Sequence, residues 1–126
     1  MDKIVITGAA GFIGYHLVKK IISKRFKFIL IDNFCRGKKD KLFNDIIKNK
    51  RIKFLNQNLT RPFELKDKNI KYIFHLAARI GVKNVIEKPS ETINDNLLML
   101  INTVNAVKKN NKNAKMIFFS TSEIYS

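Results

Sequence analysis

Thr7-Gly8-Ala9-Ala10-Gly11-Phe12-Ile13-Gly14 decides how the rest of the chain reads. In front of it, Lys3-Ile4-Val5-Ile6 is a short, β-branched apolar run, the pattern of a strand buried on both faces. Behind it, Phe12, Ile13, Leu17, Val18, Ile21 and Ile22 recur at the 3.6-residue period of an amphipathic helix. The glycines therefore mark a strand-to-helix turn. Gly8 permits a tight exit from the strand, Gly11 lets backbone approach a diphosphate, and Gly14 lets the helix pack against the strand. The N–H groups at the helix start, with the positive end of its dipole, would then hold the phosphates.

A glycine triplet alone is a weak signal, and its context strengthens it. A second apolar run, Phe28-Ile29-Leu30-Ile31, ends at Asp32, eighteen residues past Gly14. A dinucleotide-binding fold needs a carboxylate there, to accept hydrogen bonds from the adenosine ribose hydroxyls.

With 126 residues the chain reads as one domain, long enough to bury a core. No apolar run approaches the ~20 residues of a membrane span. Met1-Asp2-Lys3 leads straight into the first strand, so no signal peptide is expected, and the single cysteine, Cys35, points to the cytoplasm. The formal charge of +15 raises the question of a nucleic-acid or membrane-surface partner. Lysine supplies 20 of the 25 basic residues and is spread along the chain, whereas nucleic-acid readers favour arginine and interleaved aromatics. The densest basic stretches, from Arg36 to Lys41, Lys48 to Lys53 and Lys108 to Lys115, fall at predicted loops and helix ends. A nucleic-acid partner is not expected, nor is a membrane. No metal site is assigned.

Taken in order, strands are predicted at about Lys3 to Thr7, Lys27 to Ile31, Ile52 to Leu55, Ile70 to Leu76 and Lys115 to Phe119. Helices are predicted at about Phe12 to Lys24, Leu42 to Asn49 and Glu91 to Lys109, with a short helix or turn between Pro62 and Lys68. Strands alternating with helices imply right-handed crossovers and a doubly wound parallel sheet of the Rossmann type, in the order 3-2-1-4-5. Ligand is then expected at the carboxyl ends of the strands. The segments rich in chemistry lie there: Gly8 to Gly14, Asp32, Asn58, Leu76 to Arg79, and Thr121 to Glu123.

These residues resemble the extended short-chain dehydrogenase/reductase superfamily, in its NAD-dependent nucleotide-sugar epimerase/dehydratase branch. Residues 7–14 match that branch's cofactor signature, and Asp32-Asn33-Phe34 is similar to the segment that holds the adenosine ribose, implying NAD instead of NADP. Asn58-Leu59 falls where the family usually has Asp and an aliphatic residue beside the adenine; Asn58 keeps an acceptor and loses the charge. His75-Leu76-Ala77-Ala78 matches the loop that lines the pyrophosphate and nicotinamide ribose, with Arg79 where a basic residue often stands near that ribose. Asn96 corresponds to a family asparagine behind the active site. His75 is read as a packed strand-end residue and His16 as a surface helix residue, neither of them catalytic.

Ser120-Thr121-Ser122-Glu123-Ile124-Tyr125 is similar to the family's Ser-Ser/Thr-x-x-Val-Tyr segment. The resemblance implies that the Thr121 hydroxyl bonds the sugar 4-oxygen during hydride transfer. Glu123 would act as acid/base or orient the substrate beside Ser122. Ser122, in place of aspartate, turns the reading from a 4,6-dehydratase toward an epimerase or a UDP-glucuronate decarboxylase. The superfamily's Tyr-x-x-x-Lys pair belongs on a helix after the fifth strand. Tyr15 and Lys19 have its spacing in the wrong element, straight after the glycine turn. The chain is therefore expected to be the NAD-binding, N-terminal portion of an enzyme whose catalytic Tyr-Lys helix and substrate region lie elsewhere. That enzyme would take a nucleotide-sugar substrate and form a homodimer when full-length. A non-catalytic NAD-binding module is the first alternative, and a basic nucleic-acid-associated protein ranks below it.

Overall fold

Ile4 and Ile6 of strand β1 (Lys3–Thr7) point to one side of a sheet, and Val5 points to the other. In β2 (Lys27–Asp32), Phe28 and Leu30 alternate in the same way with Ile29 and Ile31. All seven are buried. Two apolar layers therefore exist, one on each face, which is why these strands read as unbroken hydrophobic runs. A computed structural model of the chain describes residues 1–22, 25–33, 41–78 and 86–119.

After β1 come α1 (Phe12–Ile21), β2, α2 (Lys41–Ile47), β3 (Ile52–Asn56), β4 (Ile70–His75), α3 (Pro89–Lys108) and β5 (Lys115–Phe118). The strands form one sheet in the order β3-β2-β1-β4-β5, with parallel pairing throughout. That is the expected order, with strand bounds within one residue of those read from the pattern. One layer gathers Val18 and Phe43, from α1 and α2, against Ile4, Ile6, Phe28 and Leu30. The other gathers Met99, Ala106 and Val107 of α3 against Val5, Ile29, Ile31 and Ile73. Pro89 at the start of α3, Glu91 in its first turn and Lys108 in its last suit the geometry and dipole of a helix. No helix among the described residues is long and apolar enough to cross a membrane.

Two expectations need correction. The 3.6-residue period sets Phe12 and Ile13 on the apolar face of the first helix, yet they are 80% and 59% exposed. They open α1 just past the carboxyl end of β1, where no sheet lies beneath them. The second concerns Pro62 to Lys68, which forms neither helix nor turn. Side chains hold it instead: Asn110 Nδ2 donates to the Leu65 carbonyl and Asn111 Nδ2 to that of Asp67, both at 2.9 Å. Leu65 is buried in the α3-side layer. Asp67 receives Lys53 Nζ at 2.9 Å and Lys3 Nζ at 3.5 Å, at the amino end of the sheet. Burial works to raise the Asp67 carboxyl, but the hydrogen bonds and charges of Lys53 and Lys3 outweigh it and hold the carboxyl below its ordinary value.

Candidate functional site

A parallel sheet brings Thr7, Asp32, Asn56, His75 and Phe118, the last residues of all five strands, to one edge. The glycine turn lies over this edge. Gly8 has φ +68°, a left-handed conformation open to glycine, and an added Cβ would stand 2.8 Å from the Ala77 backbone nitrogen. The turn therefore rests directly on the loop that leaves β4. At Gly14 an added Cβ would collide with the Gly8 carbonyl oxygen and lie 2.8 Å from Ala9 Cα. Its role is thus refined: the bare Cα lets α1 close on the turn itself more than on the strand.

Gly11 differs from both. An added Cβ would meet only the Gly8 carbonyl oxygen, at 3.3 Å, and otherwise face open space. Gly11 is the N-cap of α1, its backbone is ordinary (φ −72°), and no side chain caps the helix. The first turn of α1 carries no acidic residue. Amides at such a helix start have no intrahelical acceptor and suit an anion. A cleft of about 240 Å³ runs alongside, lined by Gly11, Phe12, Tyr15 and His16 with Leu42 and Phe43 of α2.

Asp32 is buried, and its Oδ2 accepts the Ala10 N–H at 2.9 Å, which ties the end of β2 to the glycine turn. Asn33 follows it, exposed. Asn58 is exposed too, but its Oδ1 already accepts the Thr60 N–H at 3.0 Å and the Thr60 hydroxyl at 2.7 Å. The same acceptor thus closes a local turn. Leu59 is 3% exposed and packs in the α3-side layer, so its side chain belongs to the core and is not offered to a ligand. Leu76 and Ala77 are half-buried beside the glycine turn, Ala78 is exposed, and Asn96 is half-buried on α3. Phe34, Arg79, Thr121, Ser122 and Glu123 lie outside the described residues.

Sequence reasoning reads His75 as packed at a strand end, but misses the polar contacts that hold this edge together. Thr7 Oγ1 lies 2.9 Å from His75 Nδ1 and also accepts the Leu76 and Ala77 N–H groups, each at 3.2 Å. Thr7 and His75 are buried between strands, and the exposed Phe118 ring stacks on the imidazole. Burial pushes the His75 imidazole down to about 4, so it is neutral near pH 7. Asn102, buried on α3, donates through Nδ2 to the Leu59 carbonyl at 2.9 Å and fixes the loop after β3. A readable signal existed for Asn102: a polar residue on the same helical stripe as Met99, Thr103 and Ala106.

The sequence model of the NAD-dependent epimerase/dehydratase family matches residues 4–126. UDP-glucuronic acid decarboxylase 1 of Arabidopsis thaliana is 33% identical over 123 residues, covering 98% of this chain and 27% of that protein. UDP-N-acetyl-alpha-D-glucosaminuronate decarboxylase of Bacillus cytotoxicus is 36% identical over 129 residues, covering 96% and 37%. Among solved structures, the UDP-Glc/GlcNAc 4-epimerase of Campylobacter jejuni superposes with a TM-score of 0.84 at 27% identity, over 100% of this chain and 39% of its own. The UDP-glucose 4-epimerase of Thermus thermophilus in complex with NAD gives 0.72 at 25% identity, over 94% and 37%. The chain thus spans about a third of the length of such relatives.

Proposed function

The chain belongs to the NAD-dependent epimerase/dehydratase family, and from that premise we propose that it is the cofactor-binding, N-terminal portion of an enzyme acting on a nucleotide sugar. The observation that carries this reading is the junction of Gly11, α1 and Asp32. A Cβ-free position with open space before it stands at an uncapped helix start, and a carboxylate is bound into the same turn. Those features suit a dinucleotide: the diphosphate against the bare Cα of Gly11 and on the amides of Phe12 and Ile13, the ribose at Asp32 and Asn33. The carboxylate favours ribose hydroxyls over a phosphorylated ribose, hence NAD over NADP.

Bound NAD would supply reversible hydride acceptance at the sugar C4. The chain's own share is positioning. Leu76, Ala77, Ala78 and Arg79 would line the nicotinamide side, with Asn96 behind. Thr121 would donate to or accept from the sugar 4-oxygen, with Ser122 and Glu123 orienting the substrate and Glu123 available to move a proton. Epimerisation and decarboxylation of a UDP-sugar are the reactions the relatives' names support. The whole protein is read as a cytoplasmic homodimer without a nucleic-acid partner.

Titration with NAD and NADP tests the reading. The wild-type protein should bind NAD, and prefer it to NADP. Gly11→Val should abolish binding, because its side chain would occupy the diphosphate position. Unchanged NAD affinity in that variant would sink the phosphate-turn assignment.

A further inference from the structure

Thr7 and His75 pair across β1 and β4 at the strand ends, and Oγ1 and Nδ1 meet at 2.9 Å. The same Oγ1 accepts the N–H groups of Leu76 and Ala77, the former shared with the Thr7 carbonyl at 3.3 Å. A hydroxyl oxygen has two lone pairs and one proton. Both lone pairs face amide donors, so the proton has one destination left, Nδ1. The imidazole is therefore a neutral acceptor at Nδ1 and carries its hydrogen on Nε2.

We propose that His75 is a positioning residue for the cofactor crevice: by accepting at Nδ1 it turns the Thr7 hydroxyl to grip two successive amides of the β4 loop. That grip sets where Ala77 lies under Gly8, the point at which the loop and the glycine turn touch. This inference rests on the reading of the crevice as a dinucleotide site. The groups shown to meet the His75 ring are the Thr7 hydroxyl from β1 and the Phe118 ring from β5, neither of them charged. Burial favours the neutral ring, and no charged side chain among the described residues contributes to its shift. A protonated ring would point a third donor at an oxygen with two lone pairs, so Ala77 would lose its acceptor there or Leu76 would fall back on the Thr7 carbonyl alone.

Two measurements on the ligand-free and NAD-titrated chain test the proposal. Long-range nitrogen–proton NMR of the His75 ring should show hydrogen on Nε2 and none on Nδ1; the opposite tautomer would overturn it. His75→Phe keeps a ring against Phe118 and removes the acceptor, and should weaken NAD binding about tenfold, as expected for one lost hydrogen bond of this kind. His75→Asn returns an acceptor at similar reach and should recover most of that affinity. Full NAD affinity in His75→Phe, or equal losses in both variants, overturns the His75 assignment while the cofactor reading stands. A wild-type protein that binds no NAD overturns the cofactor reading, and the crevice role with it, whatever the tautomer.

Discussion

Asp32 at the end of β2 and Ala10 inside the glycine turn are joined by a hydrogen bond of 2.9 Å from the Ala10 N–H to Oδ2. The carboxylate thus shapes the turn, and in the proposed function it would also meet the ribose. Asp32→Asn keeps an acceptor for Ala10 but loses the charge. Hydrogen bonds to charged groups contribute about 1.5–3 kcal/mol, so NAD affinity should fall at least tenfold in that variant, with the preference over NADP narrowed. Calorimetric titration of both dinucleotides checks this. Equal losses for NAD and NADP would count against a ribose role for Asp32.

The glycines divide into those that shape the fold and one, Gly11, that we propose serves a ligand. Gly8→Ala meets both a left-handed backbone and the Ala77 nitrogen, so unfolding should become easier by roughly 2 kcal/mol or more. Gly11→Ala meets only the Gly8 carbonyl oxygen at 3.3 Å and should leave the urea midpoint nearly unchanged while weakening NAD binding. A midpoint that falls equally in the two variants would argue against the division.

Asn111 ties α3 to the start of β4 through three hydrogen bonds. Its Oδ1 accepts the Ile70 N–H at 3.0 Å, and its Nδ2 donates to the carbonyls of Asp67 at 2.9 Å and Val107 at 3.1 Å. Asn111→Ala leaves the Ile70 N–H without that acceptor in a buried setting, at a cost of about 1–3 kcal/mol. Asn110→Ala removes one part-buried bond to Leu65 and should cost less. Chemical denaturation ranks the two.

Acid should weaken the fold in two stages. The fold accepts the neutral His75 ring, so its contribution is complete above the ordinary histidine value of 6.5 and erodes as pH falls toward about 4. At about 1.4 kcal/mol per unit, that amounts to about 3 kcal/mol. Asp67, held down by Lys53 and Lys3, contributes above its ordinary 3.8 and loses that contribution at still lower pH. Denaturation from pH 7 to 4 should therefore show falling stability in the wild type and a flatter profile in His75→Asn.

Local chemistry along the chain was enough for the fold: continuous apolar strands, glycines at the first turn, and a proline-led helix already implied a parallel sheet in the order observed. It was also enough to set Gly8 and Gly11 in the first turn and Asp32 at the end of β2, because backbone conformation and strand ends depend on near neighbours. It misjudged Phe12 and Ile13, since a periodic pattern cannot say where the sheet beneath a helix stops. It did not show that Asn58 Oδ1 also accepts from Thr60, a bond that depends on the turn formed there. What only the tertiary structure decided is the meeting of Thr7 with His75 across 68 residues of sequence. Strand register and a buried hydroxyl's count of donors and acceptors assign the roles there, and neither exists until β1 and β4 lie side by side.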